Sequence, residues 1–275
     1  MSPYAREVRI LNANVTFPDL LFAPANGLRN ALLKKYYLNK LSNRVSIGKD
    51  IVGFRFLNKD LRFYFDAEEQ LESTMSALRT VFVMGEYDQL NVKDSKVVDV
   101  GASIGDTAVF FAVKGAEHVY SFEPFPHACE IAARNIMLND LSEKITFLNK
   151  ACGDCGYAVI DEHFESSRHS RLRNFKKGKA IEIVNLSQIV ESYKIDQGVL
   201  KIDCEGCEYD FLTHADTQTL RRFKQIILEY HYGYKNLEGK LRESGFRTQH
   251  TRPRVWAVRG EPLGLFYGLV YAEKG

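Results

Sequence analysis

Val97-Val-Asp99-Val-Gly101-Ala102-Ser103-Ile-Gly105-Asp106-Thr107 is the stretch whose reading decides the fold. A short apolar strand runs into a glycine turn, and a helix-compatible stretch follows as far as Lys114. The same alternation continues outward. His118–Glu123 reads as a second strand, Pro126–Asn139 as a helix with Pro126 in its first turn, and Ile145–Asn149 as a third strand. Gly198–Asp203 and Gln225–Tyr230 are further buried strands, each flanked by helical segments. Strands alternating with helices imply parallel pairing in a doubly wound α/β sheet. Near the end, Gly245–Val258 and Leu263–Glu273 leave no room for a helix between them, so they are expected to form an antiparallel pair at the edge of the sheet.

Residues 1–84 differ in texture and read as an N-terminal extension, with residues 85–275 as the main domain. Within the extension, Ala31–Leu41 suits a short helix. Ile51–Leu57 and Leu61–Asp66 alternate around Asn58-Lys-Asp60 as a hairpin, and Glu68–Met84 has the spacing of an amphipathic helix. At 45% hydrophobic residues the 275-residue chain can bury a sizeable core. A net charge of +2 carries no polyelectrolyte signal for nucleic acid, and no apolar run reaches the roughly 18 residues of a membrane span. Without a signal-peptide pattern the expectation is a soluble, cytoplasmic protein. Five cysteines, an odd number, argue against a secreted disulfide framework.

The glycine spacing bears on the ligand. A dinucleotide fold wants G-x-G-x-x-G with room for a pyrophosphate. Here the pattern is G-x-x-x-G, preceded by Asp99, which repels a pyrophosphate but suits a cationic amino group. The helix that starts after Gly105 aims N–H groups and a positive dipole end at the crevice, which suits a carboxylate. Glu123, ending the next strand before Pro124, offers two acceptor oxygens to a pair of ribose hydroxyls.

These segments, together with Asn135–Asn139, Ala151-Cys-Gly-Asp154 and Leu200-Lys-Ile-Asp-Cys-Glu-Gly-Cys-Glu208, resemble the FkbM family of methyltransferases over about residues 85–232. The resemblance implies the class I methyltransferase (Rossmann-like) fold, a seven-stranded sheet, S-adenosyl-L-methionine as cofactor, and O-methylation of sugar or polyketide hydroxyls. It places Asp99, Gly101 and Gly105 on the methionine side, Glu123 on the ribose, and Gly153 and Asp154 near the adenine. Ala102, Ser103, Asp106, Thr107, Pro124 and Asp203 complete the expected cofactor-binding set. The chain departs from the family at Ser103, where asparagine is usual, and at Cys152, Cys204 and Cys207, where small apolar residues are usual.

For a hydroxyl acceptor the enzyme needs alignment and a base. Asp203 and Glu205 are the best-placed carboxylates. His231, ending the next strand, is the best imidazole, with an ordinary pKa near neutrality. Asp203, Glu205 and Glu208 together could also hold a hard cation, but the resemblance implies none and no metal is expected. Cys152-Gly-Asp-Cys155 and Cys204-Glu-Gly-Cys207 alone would suggest a four-cysteine metal site. The reading preferred is free cysteines serving as small hydrophobes, with a metal site or a disulfide as the alternative. Ser166–Lys179 carries six Lys or Arg and no acid, and reads as a solvated loop sooner than an RNA contact. Tyr87 reads as packing sooner than as an acceptor contact. The acceptor is expected to be a small-molecule or saccharide hydroxyl. RNA methylation, a non-catalytic cofactor-binding module and a metal–cysteine regulatory protein stand as alternatives. Within the first, methylation of an exocyclic base nitrogen is disfavoured, because Asp203-Cys-Glu-Gly stands where such enzymes resemble one another in an Asn/Asp-Pro-Pro-aromatic motif; ribose or carbon methylation stays open.

Overall fold

The structure is a computed structural model describing residues 46–66, 70–162, 164, 172, 175–256 and 265–275. The helix expected at Ala31–Leu41 and most of the basic run lie outside the described residues. The chain divides into two compact units, Met1–Glu86 and Tyr87–Gly275.

In the first unit, β1 (Ser46–Ile47), β2 (Ile51–Phe56) and β3 (Lys59–Tyr64) form an antiparallel sheet in that order. The hairpin turns at Leu57 and Asn58, both with positive φ (45° and 65°), and not at Asn58-Lys-Asp60 as the sequence suggested. A two-residue turn of this hand matches the twist of the strands it joins. It pairs Val52 with Phe63 and Phe54 with Leu61, so all four buried side chains share one face. Helix α1 (Leu71–Phe82) has an apolar stripe of Leu71, Met75, Leu78 and Phe82 at helical spacing. Its Phe82 ring meets Phe54 and Phe63 edge-on at centroid distances of 5.1 and 5.6 Å.

The second unit is built on a main sheet with the order β12-β14-β11-β10-β4-β5-β6. These strands are β4 (Lys96–Val100), β5 (His118–Phe122), β6 (Ile145–Leu148), β10 (Gly198–Ile202), β11 (Phe223–Tyr230), β12 (Phe246–His250) and β14 (Leu265–Lys274). β6, β5, β4, β10 and β11 pair in parallel, and β14 runs antiparallel between β11 and β12, with β13 (Arg254–Trp256) also pairing on it. The order is that of a class I methyltransferase sheet. Burial on both faces explains why β10 is buried at every residue, as parallel strands covered by helices must be.

The helices are α2 (Asp106–Val113), α3 (Pro126–Leu138), α4 (Leu186–Ser192), α5 (Cys207–Thr213), α6 (Thr217–Leu220) and α7 (Lys235–Glu243). α2 is apolar almost all round and buries seven of its eight residues. From β4 the chain winds through β5 and β6 on one side, then returns to β10 and β11 on the other. The crevice therefore opens at the carboxyl ends of β4 and β10, where the winding reverses.

One element was not foreseen. β7 (Ala151–Cys152), β9 (Lys179–Val184) and β8 (Gly156–Ile160) form a second sheet in that order. It owns a small core in which Ala158, Ile160 and Ile181 pack with Phe125 and Ala128.

Candidate active site

The glycine turn is tied to the neighbouring strand through its backbone. The Gly101 and Ala102 N–H groups both donate to the Phe122 carbonyl at 3.0 and 3.1 Å. Parallel register sets Ile202 opposite Val100, so Asp203 and Gly101 are neighbours as their strands end. A Cβ on Gly101 would stand 1.7 Å from the Asp203 carbonyl oxygen, at φ +74°. Glycine is required there by backbone approach as well as by conformation. Gly105, also left-handed at φ +80°, opens α2 against Ala132, and Asn135 donates to the Ile104 carbonyl at 2.8 Å from below.

Asp99 behaves differently from its expected role. It has no exposed surface; its Oδ2 accepts from Thr107 Oγ1 at 2.7 Å and more loosely from Ser121 Oγ at 3.5 Å. Its Oδ1 lies 3.1 Å from Lys201 Nζ, an ion pair lacking the alignment of a hydrogen bond. Lys201 is itself 1% exposed and donates to the Val100 and Gly101 carbonyls at 3.2 and 2.8 Å. Burial opposes its charge, but Asp99 and Asp203 outweigh burial and raise its pKa. Asp99, Thr107 and Lys201 thus brace the turn from beneath. Lys201 was missed in the sequence, where one lysine inside an apolar strand carries no periodic signal. Tyr87 is buried, edge-on to Phe111 and 5.9 Å from Lys201 Nζ, which is packing.

Glu123 holds the other wall. Its Oε2 accepts from the Ser103 N–H at 2.9 Å and its Oε1 from the Phe125 N–H at 3.0 Å. Each carboxylate oxygen still has a lone pair for a hydroxyl donor. Burial pushes its pKa up to about 7, against those two N–H donors and the charge of Lys201. Asn149, not singled out beforehand, donates to the Glu123 and Pro124 carbonyls at 3.1 and 3.0 Å, joining this corner to the loop before β7. Gly153 is buried and donates to the Val184 carbonyl at 3.1 Å, whereas Asp154 is exposed.

On the far side of the turn, Asp203, Glu205 and His231 come together. Each brings one ligand-capable atom within 4.8 Å of the others. His231 Nε2 lies 3.2 Å from Glu205 Oε2, and Nδ1 lies 2.5 Å from Oε1 of the fully buried Glu208. Burial lowers the imidazole pKa, but the hydrogen bonds to Glu205 and Glu208 override it and push it up to about 11. This corrects the expectation of an imidazole poised near neutrality: at pH 7 His231 is a cation, and it already supplies the positive charge between the two glutamates. The loop after β11 is pinned by Tyr209, whose hydroxyl donates to the Gly233 carbonyl at 2.8 Å and accepts from the Tyr232 N–H at 2.7 Å.

The cysteines also need correction. Cys204 and Cys207 are joined in a disulfide, so they are not free hydrophobes and cannot complete a four-cysteine metal site. Cys152 and Cys155 are free thiols; Cys152 is buried in the main core and fits the small-hydrophobe reading, while Cys155 is exposed.

A doubly wound sheet in this order, with a glycine turn, a buried carboxylate ending the next strand and an acidic cluster beyond, defines a class I S-adenosylmethionine-dependent methyltransferase. Residues 99–248, just over half the chain, match the Methyltransferase FkbM domain. The chain belongs to the FkbM methyltransferase family, and S-adenosylmethionine is its methyl donor. Methyltransferase sdnD of Sordaria araneosa is 25% identical, over 52% of this chain and 69% of that one. Among solved structures, precorrin-6y C5,15-methyltransferase from Geobacter metallireducens GS-15 aligns with a TM-score of 0.41 at 10% identity, covering 77% of this chain and 90% of that one. M. capricolum TrmK, solved with S-adenosyl-homocysteine, aligns with a TM-score of 0.42 at 10% identity, covering 67% and 65%. No helix among the described residues is long and apolar enough to cross a membrane.

The crevice residues fit the cofactor: a Cβ-free turn, a helix start for a carboxylate, and a buried Glu123 with lone pairs to spare. A ribose diol donates two hydrogen bonds and so prefers the ionised carboxylate. Affinity for S-adenosylhomocysteine is therefore expected to fall about tenfold per pH unit below about pH 7 and to level off above it. Calorimetry in buffers of different ionisation enthalpy would show proton release on binding near neutrality, and Glu123→Ala would lose the binding. A flat pH profile would remove Glu123 from the ribose. The same raised pKa means the free native protein binds the extra proton between 4.5 and about 7, so stability declines as pH rises through that window.

Proposed function

We propose that this enzyme methylates a hydroxyl oxygen of a small molecule or saccharide, with Glu205 as the proton acceptor. The observation that carries the reading is the Glu205–His231–Glu208 array beside Asp203 and the glycine turn. The cofactor supplies an electrophilic methyl group on a sulfonium, and the acceptor oxygen must approach in line while shedding its proton. Glu205 is an oxygen base rather than an imidazolium. His231, held by Glu208 through Nδ1, directs its Nε2–H at Glu205 and fixes that carboxylate's orientation, as a positioning residue. Asp203 is half-buried at the strand end, where it can accept from the same hydroxyl or from the cofactor's ammonium. Gly101, Ala102, Ser103, Gly105 and Asp106 line the methionine side, and Gly153 and Asp154 the adenine side.

The test is transfer of a labelled methyl group to a panel of sugars and hydroxylated small molecules, with RNA as a parallel arm because of the basic run at 166–179. Methyl-ether products, with kcat lowered about 10²–10⁴-fold by Glu205→Gln and KM little changed, are expected. Label entering RNA, and no hydroxyl compound, would overturn the acceptor class. Undiminished turnover in Glu205→Gln would remove Glu205 as the base.

A further inference from the structure

The Cys204-Glu205-Gly206-Cys207 turn is closed by its own disulfide, with Glu205 inside the ring. Glu205 is held at φ +56° and Gly206 at +120°. The left-handed region costs a non-glycine residue about 1–2 kcal/mol, and such a conformation persists only where its surroundings over-determine it. Here the bridge supplies that constraint, on the residue that faces His231 at 3.2 Å. Both cysteines are half-buried, packed against the main core without being enclosed by it. The other C-x-x-C pair, Cys152 and Cys155, has the same spacing and is not bridged.

A second contact depends on the same sulfur. Cys204 Sγ lies 3.3 Å from Glu208 Oε2, which also accepts from the Gly206 N–H at 2.9 Å. A bridged sulfur has no proton to give. A thiol there donates to Glu208, the carboxylate that holds His231 Nδ1.

We propose that Cys204 and Cys207 are a reversible dithiol–disulfide pair, a redox modification site that fixes Glu205 against His231 when oxidised and releases it when reduced. An external dithiol supplies the electrons. One of its thiolates attacks a bridge sulfur to give a mixed disulfide; its second thiol then displaces the protein sulfur. The donor leaves as its own disulfide, and two electrons and two protons end on Cys204 and Cys207. Asp203, Glu205 and Glu208 surround the pair with negative charge, so a neutral dithiol exchanges faster than anionic glutathione. Reduction frees the Glu205 backbone and gives Glu208 a new donor. Both changes weaken the hold on the His231 proton.

The experiment equilibrates the full chain with reduced or oxidised dithiothreitol, quenches with acid, blocks thiols with N-ethylmaleimide and maps the blocked peptides. Cys204 and Cys207 are expected to become blocked together and only after reduction, with Cys155 blocked in both states as an internal control. The His231 ring resonances are then titrated by NMR in both states, where reduction is expected to lower the midpoint by a unit or more. The double variant Cys204→Ser/Cys207→Ser is expected to match the reduced state. Full blocking of both cysteines under oxidising conditions, or a His231 titration indifferent to redox state, overturns the proposal. The functional consequence rests on Glu205 being the proton acceptor, but the blocking and NMR readouts do not. If hydroxyl methylation fails while both hold, the acceptor reading falls and the redox pair stands.

Discussion

Lys201→Met is expected to destabilise the protein by about 3–5 kcal/mol, because it strands the Asp99 charge at a site with no exposed surface. Methionine fills nearly the same volume, so loss of packing is a minor part of the effect. The Val100 and Gly101 carbonyls also lose their donor, at the one place where the glycine turn must keep its shape. Thr107 and Ser121 still offer hydroxyls to Asp99, but neither carries charge. The double variant Asp99→Asn/Lys201→Met is expected to recover much of the loss, since no uncompensated charge remains. Urea denaturation of wild type, both single variants and the double variant closes the cycle. A loss below about 1 kcal/mol for Lys201→Met would show the ion pair to be idle.

The second large effect belongs to Gly101→Ala. At φ +74° alanine carries the left-handed cost of about 1–2 kcal/mol. The greater part comes from the new methyl, placed 1.7 Å from a backbone oxygen that cannot rotate away. β4 and β10 must part at their carboxyl ends, which moves Asp203 and opens the crevice. Loss of S-adenosylhomocysteine binding together with a lowered melting temperature is therefore expected. Gly105→Ala is the comparison: at φ +80° it carries the same left-handed cost, but its methyl would meet the Ala132 Cβ at 3.2 Å, a contact that a few tenths of an ångström relieves, in place of a backbone oxygen at 1.7 Å. If the two alanine variants bind and melt alike, the strand-end approach is not what glycine is there for.

The main sheet was legible because its signals are local. β4, β5, β10 and β11 are continuous apolar runs punctuated by glycine, proline and acidic residues, and a buried parallel strand has no other way to look. The second sheet escaped for the opposite reason. β7 has two residues, and β8 and β9 pair antiparallel across a basic run that reads as a loop, so no strand–helix alternation marks them. The hairpin turn slipped by a residue because Leu57, a poor turn former by type, is carried into the turn by the pairing of Val52 and Phe54 with Phe63 and Leu61.

The site divides along the same line. Sequence by itself determined the doubly wound sheet, the glycine turn, Glu123 on the next strand, and the nearness of Asp203, Glu205 and His231, because these follow from spacing along one chain and the period of its strands. Tertiary structure alone decided that Asp99 faces Lys201 instead of the crevice, that Asn149 ties down the Glu123 corner, that His231 is a cation between two glutamates, and that Cys204 pairs with Cys207. Each of these depends on which buried groups meet across strands and loops. In a medium of low dielectric, the partner that a charge or a sulfur meets sets its protonation and its bonding.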